Sequence, residues 1–360
     1  MEQASRPCHA AAIAISLPMK YLSRIKSFRL TPIAETGDRF CDFAPYVASI
    51  NNHGVVAFQG ALHGGGTGLF TGTGGMISTV ADLTTGRFVN FYSHPDVSDD
   101  GSISFYAELK SGGRGIYLIR DNQLLRVAET NDTLKDVGPL GPTMNDAGTV
   151  AFRGDVKSGR SGIFTRGHGP LKVVADTSDV FRGFQGLPVI NRAGIVVFRA
   201  DQKEGGYGIF AAQGGSLTAI VDTRHVFADL GLFPSLNDEG TVAFSATVKT
   251  GGAGIFLVTD GRFATVADND GAFESFRGAL INNAGTVVFL ATPKGGALGV
   301  YSGSDPVADK IISIGDPMVG STVADFALNP VSINDCNQLA IRVALASGRQ
   351  LIIRADPVEQ

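Results

Sequence analysis

Tryptophan is absent from the 360 residues, and cysteine nearly so, with three copies at Cys8, Cys41 and Cys336. An odd, scattered set without a Cys-x-x-Cys pair builds neither a disulfide framework nor a zinc ribbon. The three read as small apolar fillers. Charge is sparse and mixed, with a net value of −4. There is no basic stripe and no acidic tail, so a nucleic-acid partner is not expected. No apolar run reaches the roughly 18 residues of a membrane span. Cys8 to Pro18 is a short apolar stretch behind a single Arg6, a poor match to a signal peptide. Met19, followed by KYLSRIK, offers an alternative start. A cytoplasmic location is expected, with secretion as the alternative.

Local catalytic signatures are missing too. The six histidines, at positions 9, 53, 63, 94, 168 and 225, show no His-Glu-x-x-His or His-x-His spacing. A zinc site built from a local motif is therefore not expected. No Gly-x-Ser-x-Gly elbow appears. Gly64 to Gly68 is glycine-rich but opens no helix, so it reads as a hairpin turn and not as a phosphate loop. Asp268-Asn269-Asp270-Gly271, with Glu274 beyond, is the best calcium-like cluster. It lacks the full loop spacing. The expectation is no cofactor, with calcium as a weak alternative.

Glycine, by contrast, is abundant, at 47 residues against a usual share of roughly 7%. The glycines recur at fixed places in a line that the chain repeats. Met144 to Arg153 reads MNDAGTVAFR, with close copies starting at Ile50, Ile190, Leu236 and Ile281 and worn ones at Val97 and Ile333. The turn glycines Gly54, Gly101, Gly148, Gly194, Gly240 and Gly285 fall 45 to 47 positions apart. A period in the forties with strand signals marks propeller blades of four strands each.

The third copy shows one unit. Pro142 to Asn145 reads as a first strand and Asn145 to Gly148 as its turn, because Asn accepts local backbone bonds and Gly supplies a positive φ. Thr149 to Val156, Gly162 to Arg166 and Leu171 to Asp176 read as strands two to four. The last unit shows only three strands, Pro330 to Ile333, Gln338 to Ala344 and Arg349 to Arg354. FRLTPIAETGD, near the start, matches a unit's final strand. The expected fold is all-β: a seven-bladed β-propeller whose N-terminal strand joins the C-terminal three-stranded blade, leaving no open edge. Residues 1–20 form a leader, 21–356 a single domain and 357–360 a tail. An open β-solenoid is the competing architecture, but it would not need its phase offset by one strand.

The pattern Asn-x-x-Gly-x-x-Ala-Phe, then Gly-Gly-x-Gly-Ile-Phe and Val-Ala-x-x-Gly-Asp, resembles a bacterial family named for its NxxGxxAF tandem repeats. Asn145, Gly148, Ala151 and Phe152, with Gly251, Gly252, Gly254, Ile255 and Phe256, carry the resemblance, as do Ile33, Ala34, Gly37 and Asp38. It covers residues 21–356 and implies the fold but little about function, because these are turn and core positions. Many such proteins are secreted or surface-anchored. In fold alone the chain also resembles propeller domains of cyanobacterial enzymes that join alkyl chlorides to resorcinol carbons. It resembles WD-repeat propellers only in plan, since no Trp-Asp pair occurs.

Ligands of propellers gather at a channel mouth, so polar departures from the repeat there are the candidate site. The connections between units read RFCDFAPY (from Arg39), RFVNFYSHPD (from Arg87), VFRGFQGLP (from Val180), VFADLGLFP (from Val226) and AFESFRGAL (from Ala272). Their recurring Phe pair reads as core. The singular residues are Tyr46, Tyr92, His94, Asp96, Arg182 and Arg277. His94 and Asp96, two apart on a strand, would share a face as base and orienting carboxylate. The catalytic candidates are His94, Asp96, Tyr46 and Arg277; the ligand-binding candidates are Tyr92, Arg182, Arg39 and Arg87. The recurring acids Asp82, Glu129, Asp176, Asp222 and Asp268 read as caps of the turn after each fourth strand. Two functions follow: a monomeric binding or scaffold propeller for a small ligand, glycan or protein, or an enzyme of specialised metabolism alkylating or cyclising a small organic substrate.

Overall fold

The computed structural model describes residues 27–130 and 133–358, so the expected leader and the choice between Met1 and Met19 lie outside the described residues. Seven antiparallel sheets form a ring, six of them running in sequence order from an inner to an outer strand. Blade 2 shows the plan, with Phe88–Val97 innermost, then Ile103–Leu109, Arg114–Arg120 and Gln123–Glu129. Blade 4 repeats it with Phe181–Ile190, Val196–Gln202, Tyr207–Gln213 and Ser216–Asp222. In blade 3 the inner strand is split into Leu134–Val137 and Thr143–Met144, both paired to Val150–Val156, followed by Ser161–Arg166 and Lys172–Asp176. Blades 1 and 5 split the same way, and blade 6 begins with the unbroken Phe273–Ile281.

The unit connections are therefore a correction to the sequence reading: the stretches from Arg39, Arg87, Val180, Val226 and Ala272 belong to the inner strands, and those from Arg87, Val180 and Ala272 make up nearly their whole length. Register slips hide them. In blade 2 the pairing jumps between Phe88 and Asn90 and again between Tyr92 and Asp96. Each bulge breaks the period-two alternation that marks a strand.

Each sheet packs between two others, so both faces are apolar. Phe40, Phe43, Phe58 and Phe70 are buried together in blade 1, with Phe40 edge-on to Phe70 at 4.9 Å between centroids. Phe181, Phe184, Phe198 and Phe210 form the same cluster in blade 4. Such ring pairs add to the burial of 150–250 Å² per aromatic. The glycine before each Ile-Phe permits a close approach: a Cβ on Gly208 would lie 2.6 Å from the Val221 carbonyl oxygen.

Blade 7 closes the ring. Its strands run Ser321–Ala327, Leu339–Leu345, Gln350–Pro357 and then Phe28–Glu35 from the other end of the chain. The seam is locked by buried Asp356, which accepts from Thr31 Oγ1 (2.7 Å), Gln338 Nε2 (2.7 Å) and Arg354 Nε (2.6 Å). Burial alone would raise this carboxyl, but those three donors hold it below the usual range. Arg354 also donates to the Gly54 carbonyl, tying blade 7 to blade 1.

Candidate functional site

The repeated asparagine turns form a belt around one channel mouth, continuous over six of its seven junctions. Each Asn Oδ1 accepts the backbone N–H four residues on, as Asn145 does from Thr149 at 3.0 Å. Its Nδ2 donates to the carbonyl of the corresponding turn in the next blade. Asn145 reaches Asn191 (2.9 Å), Asn191 reaches Asn237 (3.1 Å), Asn237 reaches Asn282 (3.3 Å) and Asn282 reaches Asn334 (2.8 Å). Asn334 then reaches Asn51 (2.8 Å), and Asn51 reaches Ser98 (3.0 Å). The following residue adds a second belt. The Asn52 N–H donates to Asp99, that of Asp238 to Asn283 and that of Asp335 to Asn52, while Arg192 pairs with Asp146 at 3.1 Å. The open cavity at this mouth is about 160 Å³ and takes residues from all seven blades.

Ser98 stands where the other blades carry Asn, so the first belt is interrupted between blades 2 and 3. Asp96 bridges this gap, accepting from the Met144 N–H at 2.7 Å. Beside it Ser93, His94 and Pro95 bulge from the inner strand, with Ser93 at φ 64°. His94 is 4% exposed and Asp96 5%. His94 Nδ1 lies 3.3 Å from Ser93 Oγ, and its Nε2 has no partner among the described residues. Gly141 of blade 3 closes over the imidazole, and a Cβ there would come within 3.3 Å of the ring. Burial pushes His94 down to about 4, against the pull of the Pro142 carbonyl. Burial pushes Asp96 up to about 7, opposed by the N–H groups of Met144 and Val97 and reinforced by Asp146.

The expected base–orienter pair is thereby corrected. No hydrogen bond joins His94 to Asp96, because the bulge breaks the alternation between them and Asp96 is engaged by Met144. No hydrogen bond or ion pair among the described residues joins the remaining candidates to one another. Tyr46, His94, Arg182 and Arg277 stand in blades 1, 2, 4 and 6, with Tyr46 half-buried and both arginines exposed. Arg39 lies over the Phe40 and Phe70 rings and donates to Thr79 Oγ1 at 2.7 Å. Arg87 lies over Phe88 and Tyr117 and pairs with Glu129 at 3.3 Å. Both cover blade cores, and neither is held ready for a ligand. Tyr92 donates to Glu108 and packs 5.2 Å from the Tyr106 ring.

At the calcium-like stretch, Asp268 Oδ1 accepts from the Asp270 and Gly271 N–H groups, as a turn cap does. Asp82, Asp176 and Asp222 cap in the same way. Among the described residues no three His, Cys, Asp or Glu side chains gather to hold a metal ion.

The sequence reading missed a recess of about 210 Å³ over the outer half of blade 3's inner strand. Arg114 of blade 2 and Phe184 of blade 4 flank it, and Asp136, Gly138, Arg153 and Asp155 form its floor. Arg114 is engaged by Asp136 (3.5 Å) and Tyr106 Oη (3.4 Å). The Arg153 guanidinium makes one hydrogen bond among the described residues, to the Gly186 carbonyl at 3.4 Å. Burial lowers its pKa, partly offset by Asp155 and Asp201. The Asp155 carboxylate has no hydrogen-bond or ion-pair partner among the described residues, although its backbone is paired to Asp136 and Ser161. The available signal was the position after each repeat's Phe (Ile341 in the last copy), which reads Gln59, Tyr106, Arg153, Arg199, Ser245, Leu290 and Arg342. Its variation sits inside a line that is otherwise nearly constant.

The profile of a family of unknown function (DUF7453) matches residues 50–349. The comparison with curated proteins gives no match. Among solved structures, an oligogalacturonate lyase from Vibrio parahaemolyticus is similar at TM-score 0.56 and 10% identity, covering 92% of this chain and 98% of that one. An oligogalacturonate lyase in complex with manganese gives 0.57 and 11%, with the same coverage. A chain of a mitotic checkpoint complex gives 0.51 and 12%, covering 98% and 100%. Identities this low speak for the fold alone.

Proposed function

The chain belongs to this family of unknown function, so its role is argued from its own residues, and we propose that it is a binding propeller for a small polar ligand. The observation that carries this reading is where the polar departures from the repeat gather. Tyr92, Glu108, Tyr106, Arg114, Arg153 and Asp155 cluster in blades 2 and 3 around an accessible recess, beside Asp136, which recurs as Asp42, Asp229 and Asp325 in other blades. The catalytic candidates are instead buried or spread over three blades. The repeat, which resembles that of the NxxGxxAF proteins, is accounted for by turns, belts and core, which leaves the recess as the variable part.

A second reading is favoured by one observation, the partnerless Nε2 of His94 beside a carboxyl shifted to near neutrality. In it the protein is an enzyme acting on a small organic substrate by acid–base chemistry from the channel side. Propellers of this plan include a lyase, so the fold does not oppose it. Native mass spectrometry of the protein purified gently from its host separates the readings. One small molecule retained per chain, and lost on substitution in the recess, supports binding there. A retained polypeptide makes the protein a scaffold. An empty chain that turns over a small substrate, with turnover abolished in His94→Gln, replaces binding by catalysis.

A further inference from the structure

The recess of blade 3 is a place where one side chain is missing from an otherwise complete arrangement. In blade 4, Arg199 and Asp201 stand two apart on the second strand, facing Gln185 on the inner one. The Gln185 amide closes that pair: its Oε1 accepts from Arg199 Nη1 at 2.6 Å and its Nε2 donates to Asp201 Oδ2 at 2.8 Å. In blade 2 the corresponding inner residue is Tyr92, opposite Tyr106, and its hydroxyl donates to Glu108. Both neighbours therefore satisfy the acid on the second strand from the inner strand.

Blade 3 carries the same Arg-x-Asp pair in Arg153 and Asp155, but its inner residue is Gly138, whose N–H bonds the Arg153 carbonyl at 3.0 Å. No side chain fits there. Gly138 has φ +94°, and a Cβ on it would lie 2.6 Å from the Tyr106 ring. Asp155 is left without a donor, and Arg153 with most of its N–H groups unused. Half-buried polar groups in this state favour an occupant that restores the bonds they lack.

We propose that the blade 3 recess binds a small neutral molecule bearing a hydrogen-bond acceptor and donor side by side, which takes the place that the Gln185 amide takes in blade 4. The acceptor meets Arg153 and the donor meets Asp155. A carboxamide or the vicinal diol of a sugar supplies this chemistry. A net anion does not fit as well, because Arg114 and Arg153 are balanced by Asp136 and Asp155 around the recess. This inference rests on the binding reading and names its ligand class.

Saturation-transfer NMR on the full chain, followed by titration, tests it with two arms: glutamine and acetamide in one, glucose, galactose and mannose in the other. Saturable binding at one site is expected in one arm, which identifies the source. Arg153→Met and Asp155→Ala should each weaken it roughly tenfold or more, as loss of a bond to a charged group does. Arg199→Met, in the pair already closed by Gln185, should leave it unchanged. The Asp155 carboxylate makes no hydrogen bond or ion pair to lose, only a longer-range attraction to Arg153, so Asp155→Ala should melt close to the parent and carries the test even where Arg153→Met folds poorly. Saturation in neither arm, binding indifferent to both variants, or binding of acetate that strengthens in Asp155→Ala overturns the inference. A different ligand retained in the native mass spectrum would then leave the binding reading standing, whereas an empty chain would remove both.

Discussion

His94 and Asp96 titrate in opposite senses over nearly the same interval, although they do not touch. The folded chain holds Asp96 at about 7 against an unfolded value near 3.8. Stability from its protonated form is complete below about pH 4 and is lost as the pH rises through 7. His94 is held at about 4 against 6.5, so its contribution is present above pH 6.5 and is lost as the pH falls toward 4. In the parent the two slopes oppose each other between about pH 4 and 6.5. Replacing either residue removes its slope and leaves the other. Relative to the parent, Asp96→Asn should gain stability as the pH rises from 4 to 7, and His94→Gln should lose it from 4 to 6.5. At about 1.4 kcal/mol for each tenfold change in proton affinity, either effect is on the order of 3 kcal/mol. Urea midpoints at successive pH values measure both, and parallel profiles for all three proteins would sink the assignment. Neither environment was legible beforehand. The unit His-Pro-Asp stood out as polar, but its burial comes from Gly141 and Pro142, which lie in another blade.

At the scale of the element, the asparagine turn is half local and half not. The local half was readable: Asn145 Oδ1 accepts from Thr149, and Gly148 takes φ +71°. The other half, Nδ2 donating to a carbonyl 46 residues on, belongs to the ring and has no signature within the turn. It explains why the position holds Asn and not Asp, since only the amide offers both a donor and an acceptor. Asn145→Asp keeps the acceptor, strips the Asn191 carbonyl of its donor and buries a charge. It should cost about 1–3 kcal/mol, read from guanidinium midpoints at pH 7, and a neutral result would show that the belt contributes nothing. The inner strand was the element read least well, because bulges at Tyr92/Asp96 and Gln185/Val189 disrupt the alternation by which strands are recognised. The recess followed it out of view. Gly138 becomes informative only once the register sets it beside Gln185 and Tyr92.

At the scale of the whole molecule, the repeat period and the offset of the first strand were sufficient for seven blades and their closure, because both depend on spacing and not on side-chain contacts. Closure itself is a property of the ring and not of blade 7. Any blade completed by strands from both chain ends has the two ends tied by a full ladder of hydrogen bonds, as Phe28–Glu35 ties Gln350–Pro357. The Val358 N–H donates to the Ser27 carbonyl at 3.0 Å, so a short linker joins these residues without strain. Opening such a circular form between Gly214 and Gly215, in the exposed hairpin before Ser216–Asp222, transfers the closure to blade 4. Opening it between Ser178 and Asp179 leaves every blade intact, with its four strands from one stretch of chain, and nothing but side-chain packing and the belts at the seam. The first permutant should unfold at close to the parent's rate in guanidinium. The second should unfold roughly tenfold faster or more, since the seam can part without first breaking a strand ladder. Equal unfolding rates for the two would show that the belts alone hold the ring, and that the shared blade adds no kinetic protection.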